Sequence, residues 1–153
     1  MSRLTRFLNF FRINKSIAID LGTSNVLIYD KQKNKIVLNE PSVIVKNRKT
    51  GEIVAVGKEA KEMEGKTAES TVVIRPLTEG VISDIDATRE MLSAFIRQIY
   101  GGSPFRPELM VCVPIEMTSI EKKAIFDAAI GAKKIYLLEE GKAAVVGSGV
   151  NIS

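Results

Sequence analysis

Asp20, Gly22, Thr23, Ser24 and Asn25 fall within six residues of one another and are the first group in the sequence whose types could do chemistry together. Gly22 allows a tight backbone turn with no Cβ in the way. Successive N–H groups in such a turn form a concavity that takes phosphate oxygens. A carboxylate beside it can hold a hydrated Mg²⁺, which keeps most of its waters and accepts only one or two carboxylates. An ordinary tight hairpin with a polar tip satisfies the same residues, so the choice rests on the rest of the chain. Other chemistries are excluded by composition. The 153 residues include no His and one Cys, Cys112. A Ser-His triad, a His-ligated metal and an internal disulfide are therefore unavailable, and a reducing compartment is the default.

The elements that must position this tip are short strands. Ile17, Ala18 and Ile19 read as a buried strand ending at Asp20, and Val26-Leu27-Ile28-Tyr29 returns as its hairpin partner. A third strand is expected over Lys35–Asn39. Residues 33–80 read as a small, mostly β insertion, with strands near 42–45, 53–56 and 71–74 and a short charged helix at 58–64. A longer helix is expected over Asp86–Tyr100, with Asp86 as N-cap, an apolar face of Met91, Leu92, Phe95, Ile96 and Ile99, and Gly101-Gly102 at its end. Glu108–Val113 reads as a buried strand. Thr118 or Ser119 then starts a helix through Ile130, with Glu121 placed for a capping box. Lys134–Leu138 is another buried strand, followed by Glu139-Glu140-Gly141, and a last helix is expected to begin at Ala143–Gly147. Three meandering strands followed by two helix-linked strands predict a mixed sheet with helices on its faces.

Residues 1–15 have a different character. Leu4, Phe7, Leu8 and Phe11 recur at helical spacing, Phe10 adds apolar surface, and Arg3, Arg6 and Arg12 flank the stripe. This is the pattern of a helix lying in a membrane interface. A secretory signal fits poorly, because Asn9 interrupts the apolar segment and no small-residue cleavage site follows. Packing on the body of the protein is the other reading. The formal charge of +4 belongs to this segment: Arg3, Arg6, Arg12 and Lys15 account for four of the 22 basic residues, leaving 18 against 18 acidic ones. The rest of the chain is thus neutral overall, which argues against a nucleic-acid partner.

The order strand, phosphate hairpin, two more strands, then alternating helix and strand resembles the actin, heat-shock chaperone and sugar-kinase ATPase superfamily. More narrowly, the chain resembles the MreB family of bacterial actin-like cell-shape proteins. The resemblance is carried by Ile19–Asn25, Val37–Val43 (Val-Leu-Asn-Glu-Pro-Ser-Val), Ala55–Ala60, Ile74–Leu77, Gly80–Asp84 and Val111–Pro114. It implies an α/β, actin-like (ribonuclease H-like) fold, here an incomplete first domain over 16–153 behind the 1–15 helix. It implies ATP held at Gly22, Thr23, Ser24 and Asn25, Mg²⁺ held through water by Asp20, and Glu140 orienting the attacking water. It further implies self-association into filaments, an anionic inner membrane surface and cell-wall elongation proteins as partners, and a cytoplasmic, peripheral membrane location. Gly141 and Lys142 depart from the family, which usually has Pro and an apolar residue there. The resemblance places the second phosphate loop, the adenosine pocket and the second actin-like domain after Ser153. These residues alone are therefore expected to bind ATP poorly and to hydrolyse none. The alternative is a nucleotide-incompetent, membrane-tethered module that binds full-length relatives.

Overall fold

The structure is a computed structural model that describes residues 16–66, 69–101, 106–129 and 132–141. The predicted helices over 1–15 and from Ala143 lie outside the described residues. The elements, in chain order, are β1 (Ser16–Leu21), β2 (Asn25–Asp30), β3 (Lys35–Pro41), β4 (Ile44–Asn47), β5 (Ile53–Val56), α1 (Gly57–Glu62), β6 (Thr71–Ile74), β7 (Leu77–Thr78), β8 (Val81–Ile82), α2 (Ile85–Tyr100), β9 (Glu108–Val113), α3 (Ser119–Ala128) and β10 (Lys134–Glu139).

The main sheet has the order β10-β9-β1-β2-β3. β1, β2 and β3 form an antiparallel meander, whereas β9 and β10 run parallel to β1. The alternation in β1 puts Ile17, Ile19 and Leu21 on one face. There they join Ile28, Leu109 and Val111 and meet Met91, Leu92 and Phe95 of α2 and Ile125 of α3. Burial of each of these large side chains contributes about 1.5–3 kcal/mol, so this face holds the fold together. The opposite face carries a row in register, Tyr29–Ala18–Met110–Tyr136, in which Tyr29, Met110 and Tyr136 are exposed.

A second sheet, β5-β4-β6, packs Val43, Val45 and Ala55 against Ala60 of α1. It begins after Pro41 rather than at residue 33, because β3 pairs along its length with β2 in the main sheet. Glu40 joins the two parts. Its carboxylate accepts the Lys58 N–H at 2.7 Å and caps α1 from outside the helix. Gly57 has φ +64, and a Cβ there would lie 2.5 Å from that carboxylate, so glycine is needed on both counts.

The N-cap of α2 is Asp84, whose side chain accepts the Ala87 N–H, not Asp86. Asp86 instead lies inside the first turn and pairs with Arg89 at 3.0 Å. An acid in that turn favours the helix dipole, so both aspartates suit a helix start and local pattern does not separate them. The Thr118–Glu121 capping box is present as expected, and its helix ends at Ala128 with Ala129 as C-cap.

Candidate functional site

The β1–β2 tip, Gly22-Thr23-Ser24, stands at the carboxyl end of β1. Gly22 is required by close approach, since a Cβ on it would lie 2.7 Å from the Asn25 carbonyl oxygen. Among the described residues, no turn or loop backbone bond engages the Thr23 or Ser24 N–H, and Ser24 and Asn25 are exposed. Among the described residues these two N–H groups are open to a further acceptor.

Three partners from distant sequence hold it. Ser42, which is fully buried, donates its hydroxyl to the Gly22 carbonyl at 2.6 Å and its N–H to the Ser24 carbonyl at 2.9 Å. Asn39 accepts from the Asn25 side-chain amide at 2.6 Å. Gly80, in the β7–β8 turn, donates its N–H to the Thr23 hydroxyl at 2.8 Å. That turn is tightly wound, with Glu79 at φ +52 and Gly80 at φ +78. Thr23 thus accepts from Gly80 and keeps its own hydroxyl proton to donate. Asn39 and Ser42 both belong to the Val37–Val43 stretch, whose chemical role sequence reasoning missed. Small polar residues closing an apolar strand were the available signal.

The carboxylates gather at the same edge. Asp20 is exposed near the end of β1 and lies in register with Cys112 of β9, which lies in register with Leu138 of β10. Glu140 directly follows β10 and is also exposed. Burial pushes the Cys112 thiol above its ordinary pKa, and the negative charges of Asp20 and Glu140 push it further in the same direction. Both acids therefore act on one sulfur between their strands. The fold brings Asp20, Gly22, Thr23, Ser24, Asn25 and Glu140 to one end of the sheet, where ligands bind in open α/β sheets. Among the described residues, no cluster of three or more metal-ligating side chains is present. This donor set fits a cation that keeps its water shell better than one caged by protein. Leu4, Phe7, Leu8, Phe10, Phe11, Arg3, Arg6 and Arg12 lie outside the described residues.

Comparison with known proteins gives a consistent picture. The MreB/Mbl protein family model matches residues 14–153. The cell shape-determining protein Mbl of Bacillus cereus is 49% identical over 141 residues, which cover 90% of this chain and 42% of that protein. MreB5 of Spiroplasma citri, solved bound to ADP, superimposes with a TM-score of 0.75 at 33% identity, covering 91% of this chain and 42% of that one. The same protein bound to AMPPNP gives 0.71 at 32%. A MamK double helical filament shares the fold at a TM-score of 0.72 and 20% identity, covering 91% of this chain and 45% of that one. The mixed sheet with flanking helices is an actin-like fold. The chain spans less than half the length of these relatives.

Proposed function

The chain belongs to the MreB/Mbl protein family, and on that premise we propose that it serves in an actin-like, membrane-associated cytoskeleton that sets rod cell shape by organising cell-wall synthesis. We propose further that its strand-end site holds the phosphates of Mg-ATP. One observation carries the nucleotide reading: a hairpin tip with open N–H groups, braced by three partners, at the same sheet edge as two carboxylates that flank β9, on β1 and just after β10. The nucleotide-bound MreB5 structures support it.

Each residue then has a stated task. The Thr23 and Ser24 N–H groups, with the Thr23 hydroxyl, donate to phosphate oxygens, while Gly22 and Asn25 set the backbone that aims them. Asp20 would hold Mg²⁺ through water, and the ion would offset phosphate charge. With the nucleotide bound in a complete site, Glu140 would accept a hydrogen bond from the water poised against the terminal phosphate. In sequence, Gly141 and Lys142 follow that acid where the family usually has Pro and an apolar residue.

The membrane part of the proposal rests on residues 1–15. No helix among the described residues is long and apolar enough to cross a membrane; the attachment proposed is peripheral, through the Leu4-Phe7-Leu8-Phe11 stripe with Phe10, Arg3, Arg6 and Arg12. Filament formation and contact with cell-wall elongation proteins follow from the family resemblance and are proposed with it. Repetition along a polymer would turn one weak helix into firm attachment.

Calorimetric titration with Mg-ATP tests the nucleotide site. The expected result is weak, Mg²⁺-dependent binding that disappears in Asp20→Asn. Binding of equal strength in that variant, or binding without need of Mg²⁺, overturns the assignment. Absence of any binding, together with capture of a full-length relative, would favour the interaction-module reading, which the exposed Tyr29–Met110–Tyr136 row supports.

A further inference from the structure

β3 closes one side of the main sheet, and a groove follows it. Among the described residues β3 pairs with β2 alone, and no turn or loop bond reaches a backbone N–H or carbonyl of residues 36–40. An edge strand turns half of its backbone donors and acceptors away from its neighbour. The groove, of about 410 Å³, is bounded by these five residues, by Lys33, by Lys58 of α1 and by Gln98 and Ile99 of α2. Successive side chains of a strand point to opposite faces. A groove that touches all five residues therefore lies at the strand's edge, and β2 occupies the other edge.

Register decides which side chains share a face. Lys35 lies opposite Asp30 and Glu40 opposite Val26, and both of these partners are buried. Asp30 accepts from Tyr100 of α2, and Val26 belongs to the core that α2 covers. Val37 has no partner, because Ile28 pairs with Leu38 and Tyr29 with Ile36. This bulge puts Lys35 and Glu40 on one face, the α2 face, although an odd number of positions separates them. Ile36 lies opposite Tyr29 on the other face and is exposed.

Charge at this edge is one-sided. Both oxygens of Glu40 are taken, one by the Lys58 N–H at 2.7 Å and the other by the Lys58 ammonium at 3.4 Å. Lys33 pairs with Asp30 at 3.7 Å, and Lys35 has no ion pair among the described residues. The side chains of Lys33 and Lys58 remain 56% and 70% exposed. An ammonium carries three donors, so each paired lysine keeps donors for a second acid.

We propose that the β3 edge takes an extended acidic segment of a partner protein as a sixth strand of the main sheet. Its main chain bonds to residues 36–40. Its acids meet Lys35 at one end and Lys58 at the other on the α2 face, and its apolar side chains lie beside Ile36 on the opposite face. Main-chain bonds give such an addition its affinity, and side-chain contacts give it selectivity. Lysines and a bulge on an edge also discourage unselective pairing, so a basic strand is turned away where an acidic one is held. Five residues of strand span about 17 Å, more than the Debye length of about 8 Å at physiological salt, so the two cation positions act as separate contacts. Docking there needs neither nucleotide nor lipid.

The test is a fluorescence anisotropy titration of the whole chain, at about 0.1 M salt and without lipid or nucleotide. The probe is a labelled peptide of about seven residues that alternates glutamate and valine. Saturable binding is expected, and the same peptide with lysine in place of glutamate should not bind. The double variant Lys35→Gln, Lys58→Gln changes exposed side chains only and should bind about 10-fold more weakly. With the peptide bound, the amides of residues 36–40 should gain protection from hydrogen exchange, and those of Lys49 and Glu52 in the β4–β5 turn should not. Absence of binding, equal binding of the lysine peptide, unchanged affinity of the double variant, or protection confined to other residues overturns the proposal.

Discussion

Asp20 and Asp30 lie on the two strands of one hairpin, near its opposite ends, and the fold treats them oppositely. Asp30 is buried at 2% exposure. It accepts from the Gln32 and Lys33 N–H groups at 2.9 and 3.1 Å and from the Tyr100 hydroxyl at 3.2 Å. Burial opposes its charge, but these bonds and the Lys33 ammonium outweigh burial and hold its carboxyl below the usual range. The same contact raises Tyr100, through burial first and the Asp30 charge second. Asp20 is exposed and has no hydrogen bond of this sort holding it among the described residues. A carboxylate committed to architecture is enclosed and fully bonded. Asp20, proposed to serve a ligand, is exposed beside the tip, on a strand whose Ile17, Ile19 and Leu21 are buried.

This contrast is easiest to break at Asp30. Asp30→Ala leaves the Tyr100 hydroxyl and the turn N–H groups without their acceptor, and is expected to lower unfolding free energy by about 3 kcal/mol in urea melts. Ser42→Ala comes next. It removes the donor to the Gly22 carbonyl from a fully buried site and should cost about 1–2 kcal/mol, while shifting amide resonances of the tip. No tip shift in that variant would show that Ser42 does not brace the site. Thr118→Ala, in the capping box of α3, should cost about 1 kcal/mol through loss of its cap and leave the tip resonances in place. Asp20→Asn should change stability by less than about 0.5 kcal/mol. A larger loss would place Asp20 with Asp30 among the architectural acids.

The pH dependence follows from the same pair. A folded-state carboxyl held low contributes stability that is present above its unfolded value of about 3.9 and is lost as pH falls through the folded value. A folded-state phenol held high contributes stability that is present below about 10 and is lost only as pH rises beyond it. The Asp30–Tyr100 contact therefore gives a flat profile from about pH 5 to 9, with the acid limb moved upward and weakened in Asp30→Asn. Denaturant midpoints measured across pH check this.

Local pattern was enough to read the hairpin, the capping box at Thr118 and Glu121 and the parallel β9–β10 pair, because each follows from neighbours along the chain or from alternating strand and helix. It was not enough for the bracing of the tip. Thr23 and Gly80 are 57 residues apart and Gly22 and Ser42 are 20 apart, and no periodicity connects them. β3 was likewise divided between two assignments, since Pro41 and the polar Asn39-Glu40 look like a strand end whichever sheet is joined. The N-cap reading at Asp86 failed for a different reason: Asp84 and Asp86 are both acids near a helix start, and only φ/ψ at the boundary separates a cap from a first-turn residue.

The claim that the Gly22–Asn25 tip receives phosphate is tested most directly by titrating ¹⁵N-labelled chain with Mg-ATP and following its amide resonances, a measurement that reads even weak binding. The account predicts progressive shifts at Gly22, Thr23, Ser24 and Asn25, with Lys31 to Lys35 at the other end of the hairpin unmoved, and loss of the response in Asp20→Asn. Shifts confined to the basic end, or a silent tip under saturating nucleotide that binds elsewhere, would contradict it.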